Sequence, residues 1–217
     1  MSFESRLRTL TRVLGRPAPP GVFHPYLDHD PALDLPDGAE RRLGNLRAYL
    51  RAHGDARWVL VGEAAGYNGC RFSGIPFTGE DLLVGESPLP WTDGHRLRRS
   101  SVGEALKKER SAAIVWEGIR DRRDCVLWNT VPWHPHRPRE PLSNRPPRRP
   151  EVEAGLAILP TFLALFPEAT PVAIGRVAEA GLERIGVPSR YVRHPSMGGK
   201  NAFLAGVAAL GREVRQG

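Results

Sequence analysis

Cysteine is nearly absent: only Cys70 and Cys125 occur in 217 residues. Two thiols cannot supply the four ligands of an iron–sulfur cluster or a structural zinc site. In a chain expected to reside in the cytoplasm, they read as free and packed rather than bridged. Lysine is also scarce. It appears only as Lys107, Lys108 and Lys200, so the net charge of +7 is carried almost wholly by arginine. A GC-rich coding sequence accounts for much of that bias. The planar guanidinium nevertheless suits phosphate, and positive charge favours an anionic partner without naming one. No apolar run approaches the roughly 20 residues of a membrane-spanning helix, and Met1 to Arg6 lacks the apolar core of a signal peptide. The expectation is a cytoplasmic protein with no membrane partner. Internal repeats, low-complexity tails and an apolar surface stripe are missing too, which suits a monomer.

Enough is present for one domain with a sizeable core, since 41% of the residues are apolar and 25% charged. Four short apolar runs read as buried strands: Arg57 to Val61, Cys125 to Trp128, Pro171 to Ile174 and Arg190 to Arg193. Helical patterns lie between and around them. They cover Ser5 to Leu14, Asp37 to Ala52 with Asp37 as N-cap, Glu80 to Val84, and Ser100 to Arg120 in one or two pieces. Further helices are expected over Glu151 to Phe166, Arg176 to Ile185 and Asn201 to Leu210. Strands alternating with helices predict an α/β fold, a three-layer α/β/α sandwich around a mainly parallel four-stranded sheet. One domain is expected over 1–217, with a helical and irregular extension over about 1–56. Arg16 to Pro36, rich in proline and aspartate, should wrap irregularly with Phe23 and Tyr26 packed on the body. His134 to Pro150 carries repeated proline and should be a stiff, extended arm. Arg137, Arg139 and Arg145 within it are candidates for tracking a phosphate backbone, the alternative being a solvated connection.

Three motifs each follow one of the strands. Gly62-Glu63-Ala64-Ala65-Gly66, with Gly74-Ile75-Pro76-Phe77 behind it, follows the first. Asn129-Thr130-Val131-Pro132 follows the second, and His194-Pro195-Ser196 the last. In a parallel sheet the strand ends converge on one crevice, where ligands bind. The glycine spacing does not match the dinucleotide fingerprint. The chemistry on offer is a ring for stacking, an amide that both donates and accepts, a carboxylate and a histidine. His134 and His136 form a His-x-His pair, which without further ligands is poor support for zinc. No metal and no cofactor are expected.

In this order and spacing the motifs resemble those of the uracil-DNA glycosylase superfamily. The interval from Gly62 to Phe77 is similar to the single-strand-selective monofunctional branch. The opening Gly-Glu-Ala is similar to the iron–sulfur branches, whose cluster cysteines are missing here. The resemblance implies that Phe77 stacks on an extruded base and Asn129 reads its edge. It implies that His194 stabilises the departing base and that Glu63 holds the water, because Ala64 stands where many relatives carry Asp or Asn. Tyr67 and Asn68, in the same loop, become base-binding candidates. Ser196, Met197, Gly198, Gly199 and Lys200 become DNA-binding candidates, with Met197 as a wedge and Asn201 as a helix cap. The implied activity is a monofunctional DNA glycosylase that excises uracil or a related deaminated base, such as hypoxanthine, from DNA. Two alternatives stay open: a lesion-recognising DNA-binding protein with little excision, and a nucleotide-handling α/β hydrolase.

Overall fold

The structure, a computed structural model, describes residues 1–213. Leu7, Leu10 and Leu14 recur at helical spacing and bury one face of α1 (Phe3–Leu14). This helix starts two residues before the expected Ser5, because the Ser2 side chain caps it by accepting from Ser5 N at 3.3 Å. A two-residue strand β1 (Val22–Phe23) and an irregular wrap lead to α2 (Gly38–Ala52). Asp37 stands at the head of α2 as expected but makes no capping bond. Its carboxylate is taken by Arg41 Nε at 2.6 Å, an i,i+4 ion pair that competes with the cap.

The wrap is fixed by buried charge. Asp34 Oδ1 accepts from Arg71 Nη1 at 2.5 Å and lies 3.2 Å from Arg42 Nη1, and all three side chains are fully buried. Arg42 also donates to the carbonyls of Pro25 and Asp28. The Arg71 guanidinium stacks between Phe23 at 3.9 Å and Phe72 at 4.1 Å. The extension is therefore bolted to the body beside the first glycine loop.

Downstream come β2 (Trp58–Ala64), the short α3 (Cys70–Ser73) and α4 (Asp81–Val84), then α5 (Arg110–Ile119) and β3 (Cys125–Val131). The remaining elements are β4 (His134–Pro135), α6 (Arg149–Leu163), β5 (Thr170–Ile174), α7 (Arg176–Arg184), β6 (Arg190–Val192) and α8 (Lys200–Glu213). The main sheet has the order β3-β2-β5-β6 with every neighbour parallel. The α/β expectation and all four strands are thus met. Helices α5 and α8 pack together on one face, while α1, α6 and α7 pack on the other. Trp128 of β3 stacks on Phe162 of α6 with centroids 4.1 Å apart. The outer edge of β3 is closed by Tyr49 of α2, whose hydroxyl accepts from Leu127 N at 2.7 Å.

Two expectations are corrected. Residues 100–109 are not helical. The Glu80 carboxylate captures Ser100 N at 2.6 Å and Ser101 N at 3.0 Å, holding that backbone in a non-helical path until α5 begins. The proline-rich segment 134–150 is not an extended arm either. It starts as β4 paired with β1, turns at the Arg137–Glu140 bridge and folds back so that the Ser143 carbonyl meets His134 Nε2 at 2.8 Å.

Candidate active site at the strand ends

The parallel register brings the first two motifs together directly, with Gly62 opposite Asn129. Thr130 Oγ1 donates to Gly62 O at 3.0 Å and locks the pair. Gly175, which follows β5 with φ +87°, donates its N–H to Val192 O at 2.9 Å. A Cβ on Gly175 would lie 3.1 Å from His194 Cβ, so this glycine makes room for the third motif.

Phe77 closes the arrangement. Its φ of +51° is rare for a non-glycine residue, and its carbonyl is held by Trp116 Nε1 at 3.0 Å. The ring lies over bare Gly62: a Cβ there would be 2.4 Å from the ring edge and 2.8 Å from Asn129 Oδ1. Gly62→Ala should therefore displace the ring and the amide together. We expect it to lower substrate turnover at least about tenfold, the scale on which site geometry is lost by small displacements. The thermal midpoint should fall by only a few degrees, and a variant that retains wild-type turnover would contradict this placement.

A cavity of about 590 Å³ opens at these strand ends. Glu63, Phe77, His194, Ser196 and Met197 line it, so it brings together the principal residues singled out from the sequence. His194 Nδ1 accepts from Ser196 N at 3.1 Å, with Ser196 Oγ at 2.7 Å. This leaves Nε2 to carry the hydrogen of the neutral ring. Burial, helped by the charge of Arg193, pushes the His194 pKa below the ordinary value and favours that neutral form. Glu63 is half-buried without a hydrogen-bond partner among the described residues, and burial raises its pKa. Asn129 is buried with Oδ1 unpartnered, and it stands behind the Phe77 ring rather than on the cavity wall.

Other candidates lie outside the wall. Tyr67 and Asn68 sit on the loop above it, where Tyr67 N donates to Asn144 Oδ1 at 3.0 Å and ties the loop to the folded-back segment. Met197, at the cavity rim, is 90% exposed with φ +51°, followed by Gly198 at φ +75°. Lys200 pairs with Glu117 at 2.8 Å. Helix α8 begins at Lys200, and Gly199 O accepts from Phe203 N, so Asn201 lies inside the first turn and is not the cap. Arg139 is exposed, and Arg137 is exposed and paired with Glu140. Arg145 does line the cavity, but its guanidinium is filled. It grips both Glu151 oxygens at 2.8 and 2.7 Å and the carbonyls of Gly21 and His136. That fork is a structural tie with little left to offer a phosphate.

The sequence reading missed Glu109. It precedes α5, and its side chain reaches the cavity wall with Oε2 buried and unpartnered. A Cβ on Gly69 would lie 1.6 Å from that oxygen. Burial pushes the carboxyl group up to about 7. No local pattern marks it, because a glutamate before a helix normally reads as solvated. Among the described residues no group of three potential ligands could hold a metal ion, and no helix is long and apolar enough to cross a membrane.

Comparison with known proteins bears on this geometry. The family model for the uracil DNA glycosylase superfamily matches residues 51–210. The crystal structure of wild-type SMUG2 from Pedobacter heparinus superposes with a TM-score of 0.64, covering 100% of both chains at 14% identity. No curated protein matches the sequence.

Proposed function

Because the chain belongs to the uracil-DNA glycosylase superfamily, a family of DNA N-glycosylases, we propose that it flips uracil or a related deaminated base out of DNA and hydrolyses its glycosidic bond. The observation that carries this reading is the single cavity shared by Phe77, His194 and Glu63, with Asn129 unpartnered just behind it. The exposed Met197 enters the duplex and props it open, while Ser196 and the backbone of Gly198 meet phosphate; Gly199, expected beside them, is buried with its N–H given to Ser196 O. Extrusion costs a few kcal/mol, less for a mismatched or single-stranded base. Phe77, seated over Gly62, stacks on the base, and Asn129 beside it meets the base edge. The Asn129 Oδ1 then accepts from the ring N–H that it lacks as a partner in the free protein. As the C1′–N bond breaks, its electron pair passes to the base. The Nε2–H of neutral His194 donates to the carbonyl oxygen on which that charge collects. Glu63, in its ionised form, orients a water and takes its proton as the oxygen adds to the anomeric carbon. The products are free base and an abasic site. Ala64 can hold no water, and this favours the second reading, a protein that recognises lesions without cutting them efficiently.

Incubating the protein with end-labelled DNA carrying one uracil, one hypoxanthine or no lesion, followed by alkali, separates the readings. Strand cleavage at uracil is the expected result. Cleavage at hypoxanthine alone keeps the mechanism and changes the substrate. Lesion-selective binding without any cleavage overturns the glycosylase reading in favour of the second.

A further inference from the structure

Glu109 is built into the same cavity from an unexpected direction. Its Oε1 faces Gly66, which lines the cavity: a Cβ there would be 3.1 Å from that oxygen. Its Oε2 points the other way into the notch left by Gly69, where it is buried with no partner. A buried oxygen without a donor is tolerated far better as a neutral carbonyl than as a carboxylate. The proton therefore belongs on Oε1, where the acid presents an O–H to the cavity.

Among the described residues no cation is set to ionise it. Lys107 lies over the Phe72 ring, and Arg145 across the cavity is occupied by Glu151. Lys108 acts on Asp81, the α4 carboxylate that abuts Gly79. Cys70 is a buried thiol held neutral, pushed up to about 12 by burial with Glu109 contributing. Glu63 and His194 share the cavity as an unpaired carboxyl group and a neutral ring. Arg110 and Ser111 follow Glu109 in α5, and Arg110 is exposed. Burial alone accounts for the raised pKa of Glu109.

We propose that Glu109 reads the base: its neutral carboxyl group donates the Oε1–H to a keto oxygen of the base lodged in the cavity. The proposal rests on the glycosylase reading and adds a contact that none of the three motifs contains. It selects keto bases, since an exocyclic amino group at the same point would set donor against donor. It also makes recognition weaken as the pH rises through about 7 and the donor is lost.

The test compares wild type, Glu109→Gln and Glu109→Ala in single-turnover excision of uracil from about pH 5.5 to about 9. The wild type should decline above about pH 7. Glu109→Ala should be slower at the acid end by about tenfold or more, the worth of a lost hydrogen bond in a closed site. Glu109→Gln, which keeps an N–H in place, should outpace the alanine variant and decline less on the alkaline side. Equal losses in both variants, or an alkaline decline undiminished in Glu109→Gln, overturn the proposal. A second readout needs no turnover. The infrared carboxylic-acid band missing from Glu109→Gln should shift in the wild type when free uracil is added, and an unmoved band overturns the proposal. A wild type that excises nothing while its band shifts indicts the glycosylase reading and supports the role of Glu109.

Discussion

On the proposed glycosylase reading, His194→Ala should slow single-turnover excision of uracil by about 10²–10³-fold, the usual cost of removing one preorganised donor at a developing oxyanion. Affinity for the same duplex should stay within about threefold, because in the proposed mechanism the removed ring meets the base and other residues meet the sugar–phosphate backbone. The expectation follows from how the ring is held. Ser196 N fixes Nδ1 as the acceptor, so a neutral imidazole arrives at the cavity with Nε2–H already aimed and no proton to gain or lose. Burial and Arg193 depress the pKa, which keeps that form dominant at neutral pH and removes it only when the pH falls below the lowered value. Alanine retains the Cβ that packs on Gly175, so the loop keeps its seat. Quench-flow rates with saturating protein, set beside equilibrium binding to the same DNA, check both halves. A rate within a few-fold of wild type would remove the leaving-group role.

Asp34→Ala should destabilise the protein by about 3–5 kcal/mol, the range for breaking a buried ion pair from one side. The deletion leaves Arg42 and Arg71 as two buried guanidiniums with their common counter-ion gone. Arg42 retains the Pro25 and Asp28 carbonyls, whereas Arg71 already has Nε and Nη2 unpartnered and keeps only a distant Asp30 at 3.9 Å. Arg71 should therefore move, and with it α3, which lies directly beyond Gly69. Urea unfolding followed by tryptophan fluorescence gives the stability change. A loss below about 1 kcal/mol would mean that the cluster is no stronger than a surface pair. Asp34→Leu combined with Arg71→Met should recover part of the loss, since it removes one of the two stranded charges while Arg42 keeps its carbonyl partners.

These residues also mark where the sequence was legible. The strands were visible because a parallel strand covered on both faces must be apolar throughout, as in Val59-Leu60-Val61 and Val126-Leu127-Trp128. The site motifs were visible because each strand end carries its chemistry locally, in glycines, an amide and a histidine. What stayed hidden depends on partners distant in sequence. Asp34, Arg42 and Arg71 look like solvated charges until the fold brings them together. Arg145 looked like a free cation because nothing nearby in the chain announces that Glu151 and the Gly21 carbonyl fill its fork. Ser100 to Glu109 has helical composition, yet one carboxylate from Glu80 outbids the helix for its amides. Glu109 is the same case at the site itself, being readable only from the notch at Gly69.

The strand order has a consequence for how the chain comes off the ribosome. β2 is central, but both strands that flank it are made later: Trp58 pairs with Cys125 on one edge and with Thr170 on the other. While β3 and β5 are still being synthesised, the apolar strand β2 has two bare hydrogen-bonding edges. Of the described helices, α1 to α5 precede β3 in the chain, whereas α6 and α7, which pack on the sheet, follow it. Such edges are templates for pairing with other nascent chains. Arg71 follows β2 closely in the chain, so the Asp34, Arg42 and Arg71 cluster can close well before β3 and β5 exist.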